Sequence, residues 1–352
     1  MTKTYHLCIS GGNEVLFRSE EDYIRGINTL CLAAHKTESS LLAYSFMSNH
    51  VHVGVRTKVP QQLIKLFRYP YGRYFNKKYH RSGSLGEKEP FCQEIDGLYH
   101  LLAVLAYILR NPLHHGVAGT PFGYRYSSIG ALFKKDLGRF DTPALMPKKS
   151  QYLHLPDRGP LPEGFKMDSS GLILPETAID VADVEHLFST ARSFLFYMNR
   201  LSGEAWDKEQ QQDSNLIAPV KLEDIERGVH CQDLRTMLSH EHGRADYNAL
   251  SDLQLCKIID NFLNKSYCQG PFLEKFTEEL QKQSSLPRHL TTDFVPGPQS
   301  RPAYSGHSVY TISEKEIDQI AMLLKRHLKL PVEQISRCLG GHDSLCFDTG
   351  KP

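Results

Sequence analysis

The stretch Leu41-Leu42-Ala43-Tyr44-Ser45-Phe46-Met47-Ser48-Asn49-His50-Val51-His52-Val53-Gly54-Val55-Arg56 decides the fold. Two β-prone runs, Leu41–Met47 and His50–Arg56, are parted by the short break Ser48-Asn49, which predicts two adjacent antiparallel strands. The second run alternates with period two. It therefore projects His50 and His52 from one face, with Val51 anchoring the strand from the other. Upstream, Tyr5–Ser10 reads as a strand that ends at the turn Gly11-Gly12-Asn13. Ser19–Lys36 reads as a helix: Ser19 caps it, Glu20, Glu21 and Asp22 fill its first turn, and Tyr23, Ile27, Leu30 and Ala34 recur at helical spacing. Downstream, Pro60 opens a helix that runs to about Tyr79. Gly83–Glu89 is a loop, Phe91–Ile95 a short strand and Asp96–Asn111 a helix that stops before Pro112. The order β-α-β-β-α-β-α predicts an α+β fold, a small antiparallel sheet with helices packed on it.

The texture changes beyond Phe133. Residues 136–175 are rich in Pro, Gly and Lys, as a linker or wrapping loop would be. Helices are expected over Val181–Leu201, Lys221–His230 with Leu234–Glu241, Ser251–Lys265 and Pro271–Gln283. Residues 284–308 read as an irregular connector, and Ser313–Leu328 with Pro331–Leu339 as a final helix pair. The expected organisation is a domain over 1–135, a mostly α-helical accessory region over 136–300, and a terminal pair over 301–352 resembling part of a helix-turn-helix.

Length and composition narrow the function classes. The chain has 352 residues, 40% hydrophobic and 23% charged, the balance of a protein able to bury a core. No apolar run reaches membrane-spanning length and no signal-peptide core follows Met1, so a cytoplasmic, nucleoid-associated location is expected. The eight cysteines form no CxxC pair and read as free thiols. The net charge of +1 hides an asymmetry. Residues 1–135 carry 17 Lys and Arg against 9 Asp and Glu, net +8, and the remainder is net −7. A basic first part suits a polyanionic partner.

Three features carry chemistry. His50 and His52 on one strand face make a natural metal clamp, the plain alternative being two ordinary histidines on a half-exposed strand. In the helix over 96–111, Leu98, Leu101, Leu102, Leu105 and Leu109 form an apolar stripe. Tyr107 and Asn111 fall on one line away from it, where a packed aromatic and a terminal cap are the plain alternative. Finally, Lys65, Arg68, Arg73, Lys77, Lys78, Arg81 and Lys88 interleave with Phe67, Tyr69, Tyr71, Tyr74, Phe75 and Tyr79. Basic groups neutralise phosphates and aromatic faces stack unpaired bases, which equips Lys65, Arg68, Arg73, Tyr74, Lys77, Lys78 and Arg81 to bind single-stranded or hairpin nucleic acid.

These residues stand in an order that resembles a known family. Ser10-Gly11-Gly12-Asn13 with Leu16-Phe17 comes first, then Phe46-Met47-Ser48-Asn49-His50-Val51-His52, then Tyr74-Phe75-Asn76 with Gly83-Ser84-Leu85. Tyr107-Ile108-Leu109-Arg110-Asn111-Pro112 with His115-Gly116 follows, and Tyr124-Arg125-Tyr126-Ser127-Ser128 closes the series. Over its first 135 residues the chain resembles the HUH-type single-tyrosine transposases, especially the REP-associated branch. Gly86-Glu87-Lys88-Glu89-Pro90-Phe91 departs from the Phe-Gln-x-Arg-like stretch usual there, and residues 136–352 have no counterpart in minimal members. The resemblance implies a ferredoxin-like HUH nuclease domain. It implies that His50 and His52 bind Mg²⁺ or Mn²⁺, that Asn111 takes the place of a third metal ligand, and that Tyr107 is the nucleophile. It further implies cleavage and rejoining of single-stranded or hairpin DNA through a 5′-phosphotyrosine, by a monomer or homodimer. A replication initiator or relaxase, a domesticated DNA-binding relative and a metal-binding structural protein are the alternatives.

Overall fold

The computed structural model describes residues 1–115, 117–118, 120–199, 250–266 and 307–342. The helices expected at Lys221–His230, Leu234–Glu241 and Pro271–Gln283, nearly all of the connector over 284–308, and Gly116 lie outside the described residues. The first 114 residues form β1 (Lys3–Ser10), α1 (Glu20–Lys36), β2 (Ser40–Phe46), β3 (His50–Thr57), α2 (Pro60–Tyr79), β4 (Phe91–Ile95) and α3 (Leu98–His114). This is the α+β order expected. The four strands make one sheet, β2-β3-β1-β4, with every neighbouring pair antiparallel.

Register divides the sheet into two faces. Residues directly opposite in an antiparallel pair share a face. Ser10 opposes His50, Cys8 opposes His52 and His6 opposes Gly54, so His6, Cys8, Ser10, His50 and His52 lie on one side. Helix α3 covers that side. A side chain on Gly54 would meet Leu105 Cδ2 at 3.0 Å, so the missing Cβ sets how closely α3 approaches the sheet. Val51, Val53 and Val55 enter the core on the opposite side, with Ile27 and Leu30 of α1 and Phe67 and Phe75 of α2.

Local chemistry accounts for the helix boundaries. Ser19 and Asp22 close a capping box at the start of α1. Pro60 occupies the first turn of α2, and His80 ends that helix in the left-handed region at φ 54°. Helix α3 corrects the sequence reading, because it passes through Pro112 to His114. In a last turn, proline forfeits one hydrogen bond near a frayed end. Here the turn is closed by the His115 amide donating to Asn111 O at 3.0 Å. Asn111 is therefore a buried residue inside the helix and not its exposed end.

Residues 136–199 pack into the same core as the sheet. Leu155, Met167, Leu172 and Ile173 are buried in it. The segment is strapped to α1 by Asn28, whose Nδ2 donates to Gly171 O at 2.7 Å and whose Oδ1 accepts from the Ile173 amide at 2.9 Å. The single helix expected over 181–201 is two, α4 (Val181–Phe188) and α5 (Ala191–Asn199). Ser189 breaks the run at φ 65°, and the Thr190 hydroxyl accepts from the Ser193 amide at 3.1 Å to start the second helix.

Helices α6 (Asp252–Ser266), α7 (Glu314–Leu328) and α8 (Val332–Cys338) surround a second core. Leu255, Ile259, Leu263, Ile320, Leu324 and Ile335 fill it, with Val15 of the N-terminal loop. Arg18 ties this unit to the sheet domain. Its side chain is fully buried, donates to Asp260 Oδ1 at 2.7 Å and Oδ2 at 3.1 Å, and donates to Cys338 O at 2.7 Å. Arg18→Ala should destabilise the chain by about 3–5 kcal/mol, because Asp260 and a buried carbonyl lose their donors. A denaturant melt within 1 kcal/mol of the parent, on that order-of-magnitude scale, would show that the pair does not join the two cores.

Candidate functional site

The centre of the site is β3. It lies between β2 and β1, so both of its edges are hydrogen-bonded. His50 and His52 are held on the α3 face with ring centroids 4.8 Å apart. Both are buried. Burial, with smaller contributions from Arg337 and His114, pushes the His50 imidazole down to about 4. Burial and the neighbouring histidines hold His52 well below the ordinary histidine range. Both rings are therefore neutral near pH 7, and each has one N–H and one lone pair.

That limit creates a conflict at His50. Its Nδ1 lies 3.0 Å from Asn49 Oδ1 and its Nε2 lies 3.0 Å from Asn111 Oδ1. A neutral ring donates to only one of these oxygens. With the proton on Nδ1, the Nε2 lone pair faces the lone pairs of Asn111 Oδ1. A cation between the two atoms would turn that repulsion into coordination; otherwise the amide has to turn over. His52 makes the same choice. Its Nδ1 is 3.1 Å from His6 Nε2, and its Nε2 is buried without a hydrogen-bond partner. One tautomer, Nδ1–H on both rings, leaves both Nε2 lone pairs available as ligands, each ring being steered through its other nitrogen. Among the described residues no three His, Cys, Asp or Glu side chains gather around a metal position. The groups that could hold a divalent ion here are the two imidazoles and the Asn111 carboxamide oxygen.

Tyr107 stands on α3 one turn before Asn111. Its ring is 5.2 Å from that of His52 and 6.1 Å from that of His6, edge-on to both. It is 7% exposed. The structure thus brings together His50, His52, Tyr107 and Asn111 from two elements. Two residues to which the sequence reading gave no role join them. His6 is fully buried against His52. His115 packs its ring 5.4 Å from His50, and its Nε2 is buried without a hydrogen-bond partner. The alternation His6, Cys8, Ser10 on β1 carried a signal for His6, once β1 was paired with β3. His115, four residues after Asn111, follows on the same line.

The basic and aromatic residues of 65–81 divide between two faces. Lys65, Tyr69, Arg73 and Lys77 recur every fourth residue along α2 and are all exposed, Tyr69 at 69%. The other four residues expected to meet nucleic acid, Arg68, Tyr74, Lys78 and Arg81, turn inward. The Tyr74 hydroxyl donates to Asp22 Oδ1 at 2.9 Å, and Lys78 Nζ donates to the same oxygen at 2.7 Å. Arg81 is bidentate to Glu14, at 2.6 and 3.1 Å. Arg68 donates to Leu85 O and Lys88 O, bracing the glycine loop. These four are engaged within the chain, which leaves the outer stripe of α2 as its basic face.

No protein-family description matches the chain, and no curated protein sequence does either. Among solved structures, a REP-associated tyrosine transposase bound to a REP hairpin aligns with 40% of this chain and 82% of its own, at 12% identity and a TM-score of 0.33. Likeness at that distance assigns no role to any residue here. No helix among the described residues is long and apolar enough to cross a membrane.

The buried histidines of the site, His6, His50, His52 and His115, set a pH dependence. His6 is pushed down to about 3 by burial, and His115 is held well below its ordinary range by burial and then by His50. Between about pH 6.5 and pH 4 the unfolded chain binds protons that the folded chain does not, so stability falls as pH falls. Each histidine that stays neutral when folded should cost about 2 kcal/mol at pH 5 relative to pH 7. Melting of the metal-free chain should therefore shift steeply downward from pH 7.5 to 5, and less so in His115→Gln. A flat profile would mean that these imidazoles are solvated.

Proposed function

We propose that the chain is a metal-dependent, single-tyrosine DNA strand transferase of the HUH type, which cuts and rejoins single-stranded DNA at hairpin-bearing sequences. The observation that carries this reading is the convergence of the His50 and His52 rings, the Asn111 Oδ1 atom 3.0 Å from His50 Nε2, and the Tyr107 ring edge-on to His52. Residues 1–135 form the catalytic unit in this reading, and residues 136–352 support it.

His50 Nε2, His52 Nε2 and Asn111 Oδ1 would hold Mg²⁺ or Mn²⁺, and Mn²⁺ suits imidazole better. When bound, such an ion would supply Lewis-acid polarisation of the scissile phosphate and offset its developing charge. The chain's own groups do the rest. Tyr107 gives up its phenolic proton, and its Oη forms a bond to phosphorus. The bond from phosphorus to the 3′ oxygen breaks, and that oxygen takes a proton to become a 3′-hydroxyl. Phenol ionises near pH 10, far more readily than an aliphatic alcohol, so the tyrosine is readily displaced from the 5′-phosphate. A second 3′-hydroxyl can then attack and restore a phosphodiester without a nucleotide cofactor. His50, His52, Asn111 and Tyr107 are all buried, and low local polarity strengthens electrostatic contacts among them.

The outer stripe of α2 is the proposed track for the strand. Lys65, Arg73 and Lys77 meet phosphates while Tyr69 stacks on a base. Incubating the full chain with labelled hairpin-bearing single-stranded DNA and Mn²⁺ should give a covalent adduct that survives denaturation. Tyr107→Phe should abolish the adduct and leave DNA affinity nearly unchanged. Tight DNA binding with no adduct from the parent chain would favour a DNA-binding relative that does not cleave. Replacing Lys65, Arg73 and Lys77 together by alanine should flatten the slope of log affinity against log salt by about 2, at roughly 0.7 per phosphate contact. Tyr69→Ala should cost on the order of 1–3 kcal/mol with little change in slope. Lys78→Ala is the internal control, because its effect should appear in stability and not in the slope. An unchanged slope in the triple variant would place the strand on another surface.

A further inference from the structure

The turn that delivers His50 is held from two directions. Its backbone belongs to the N-terminal loop: Ser48 O accepts from the Leu16 amide at 2.7 Å and the Phe17 amide at 3.0 Å, and Asn49 O accepts from the Gly11 amide at 2.6 Å. The Ser48 side chain belongs to the C-terminal helices. Its hydroxyl donates to Asp252 Oδ2 at 2.7 Å, across 204 residues of sequence. Asp252 opens α6 and is buried, and its carboxylate is aligned by Arg337 of α8. The guanidinium donates from Nε to Oδ2 at 2.8 Å and from a terminal nitrogen to Oδ1 at 3.2 Å. Gln334, one turn before Arg337, donates to Leu250 O at 2.7 Å and fixes α8 against the start of α6. The next link is Asn49, whose Oδ1 lies 3.0 Å from His50 Nδ1 and, as an acceptor, favours the tautomer with the proton on Nδ1.

We propose that Asp252, aligned by Arg337, is a positioning residue for His50: through Ser48 it fixes the turn whose Asn49 side chain selects the tautomer that presents His50 Nε2 to the ligand position. The assignment of His50 as a ligand rests on the function proposed above; the positioning of its ring does not. A buried ion pair contributes little net stability compared with apolar residues of the same size, but it enforces one geometry because losing either partner leaves a bare charge. Its hydrogen bond to the turn carries that geometry to the metal side of β3. Outer partners of this kind commonly change metal affinity by about 10–100-fold when removed. The C-terminal helices are therefore part of the catalytic apparatus, although no residue of theirs is a proposed ligand or nucleophile.

The test uses the full chain, with Mn²⁺ alone as the probe. Ser48→Ala removes the link and leaves the Asp252–Arg337 pair intact, so the helices should remain docked. Mn²⁺ affinity, measured by electron paramagnetic resonance without DNA, should weaken by about 10-fold. The ¹⁵N resonances of His50 in the metal-free protein, assigned by their loss in His50→Gln, should move from one Nδ1–H tautomer to a mixture. Asp252→Ala should do the same, and the double variant should be no weaker than Asp252→Ala alone. If Ser48→Ala keeps both the Mn²⁺ affinity and the His50 tautomer of the parent, the proposal is overturned. If the parent chain takes up no Mn²⁺, the reading of His50 as a ligand fails. The His50 tautomer in the metal-free variants then still decides whether Asp252 positions the ring.

Discussion

A strand paired on both edges has no freedom to twist its side chains towards a different face, and β3 is such a strand. Its register with β1 and β2 fixes two imidazoles towards α3 and three valines into the opposite core. A slip of one residue would exchange the two sets, burying histidines among phenylalanines and exposing valines to the site. The valines and the histidines thus specify one another. The apolar face determines the register, and the register determines where two neutral imidazoles emerge. The other residues of the site are placed relative to that face, either on α3, which lies across it, or on β1 beside it.

The parts that sequence could reveal are those set by short-range periodicity. The strand pair around Ser48-Asn49, the capped helix from Ser19, and the line joining Tyr107 to Asn111 all follow from spacing within a few residues, and all are present. The interleaved charges and rings of 65–81 show where that information stops. A run of alternating types says that a helix has basic and aromatic residues but not which of its sides meets the protein. Tyr74, Lys78 and Arg81 face Asp22 and Glu14, partners supplied by α1 and the loop before it. Pro112 misled for a related reason. Its penalty is real in mid-helix, but it depends on which hydrogen bonds the turn still has to make, and His115 supplies the one that matters. The alternation on β1 points to His6 only once β1 is paired with β3, and Asp252 had no local signal, because each acquires its meaning from a residue dozens to hundreds of positions away.

The acidic remainder of the chain is joined to the basic first part by buried charge as well as by apolar packing. Arg18 reaches Asp260 and Cys338 O, while Asp252 reaches Ser48 and Arg337. Both links close on the loop and turn that flank the start of β3. A purely hydrophobic contact tolerates sliding, since its energy follows buried area and not direction. Two directional charged contacts a short distance apart do not. The C-terminal helices are accordingly registered against the sheet domain and not merely adherent to it.

Tyr107 and Asn111 are one turn apart on α3, and that turn runs on through Pro112 into a bond closed by His115. A displacement of α3 as a body would carry both side chains with it. Withdrawing the phenol from the histidines would carry the carboxamide oxygen away with it, and returning one would return the other. In the proposed reaction the nucleophile and the third ligand would then engage and retire together.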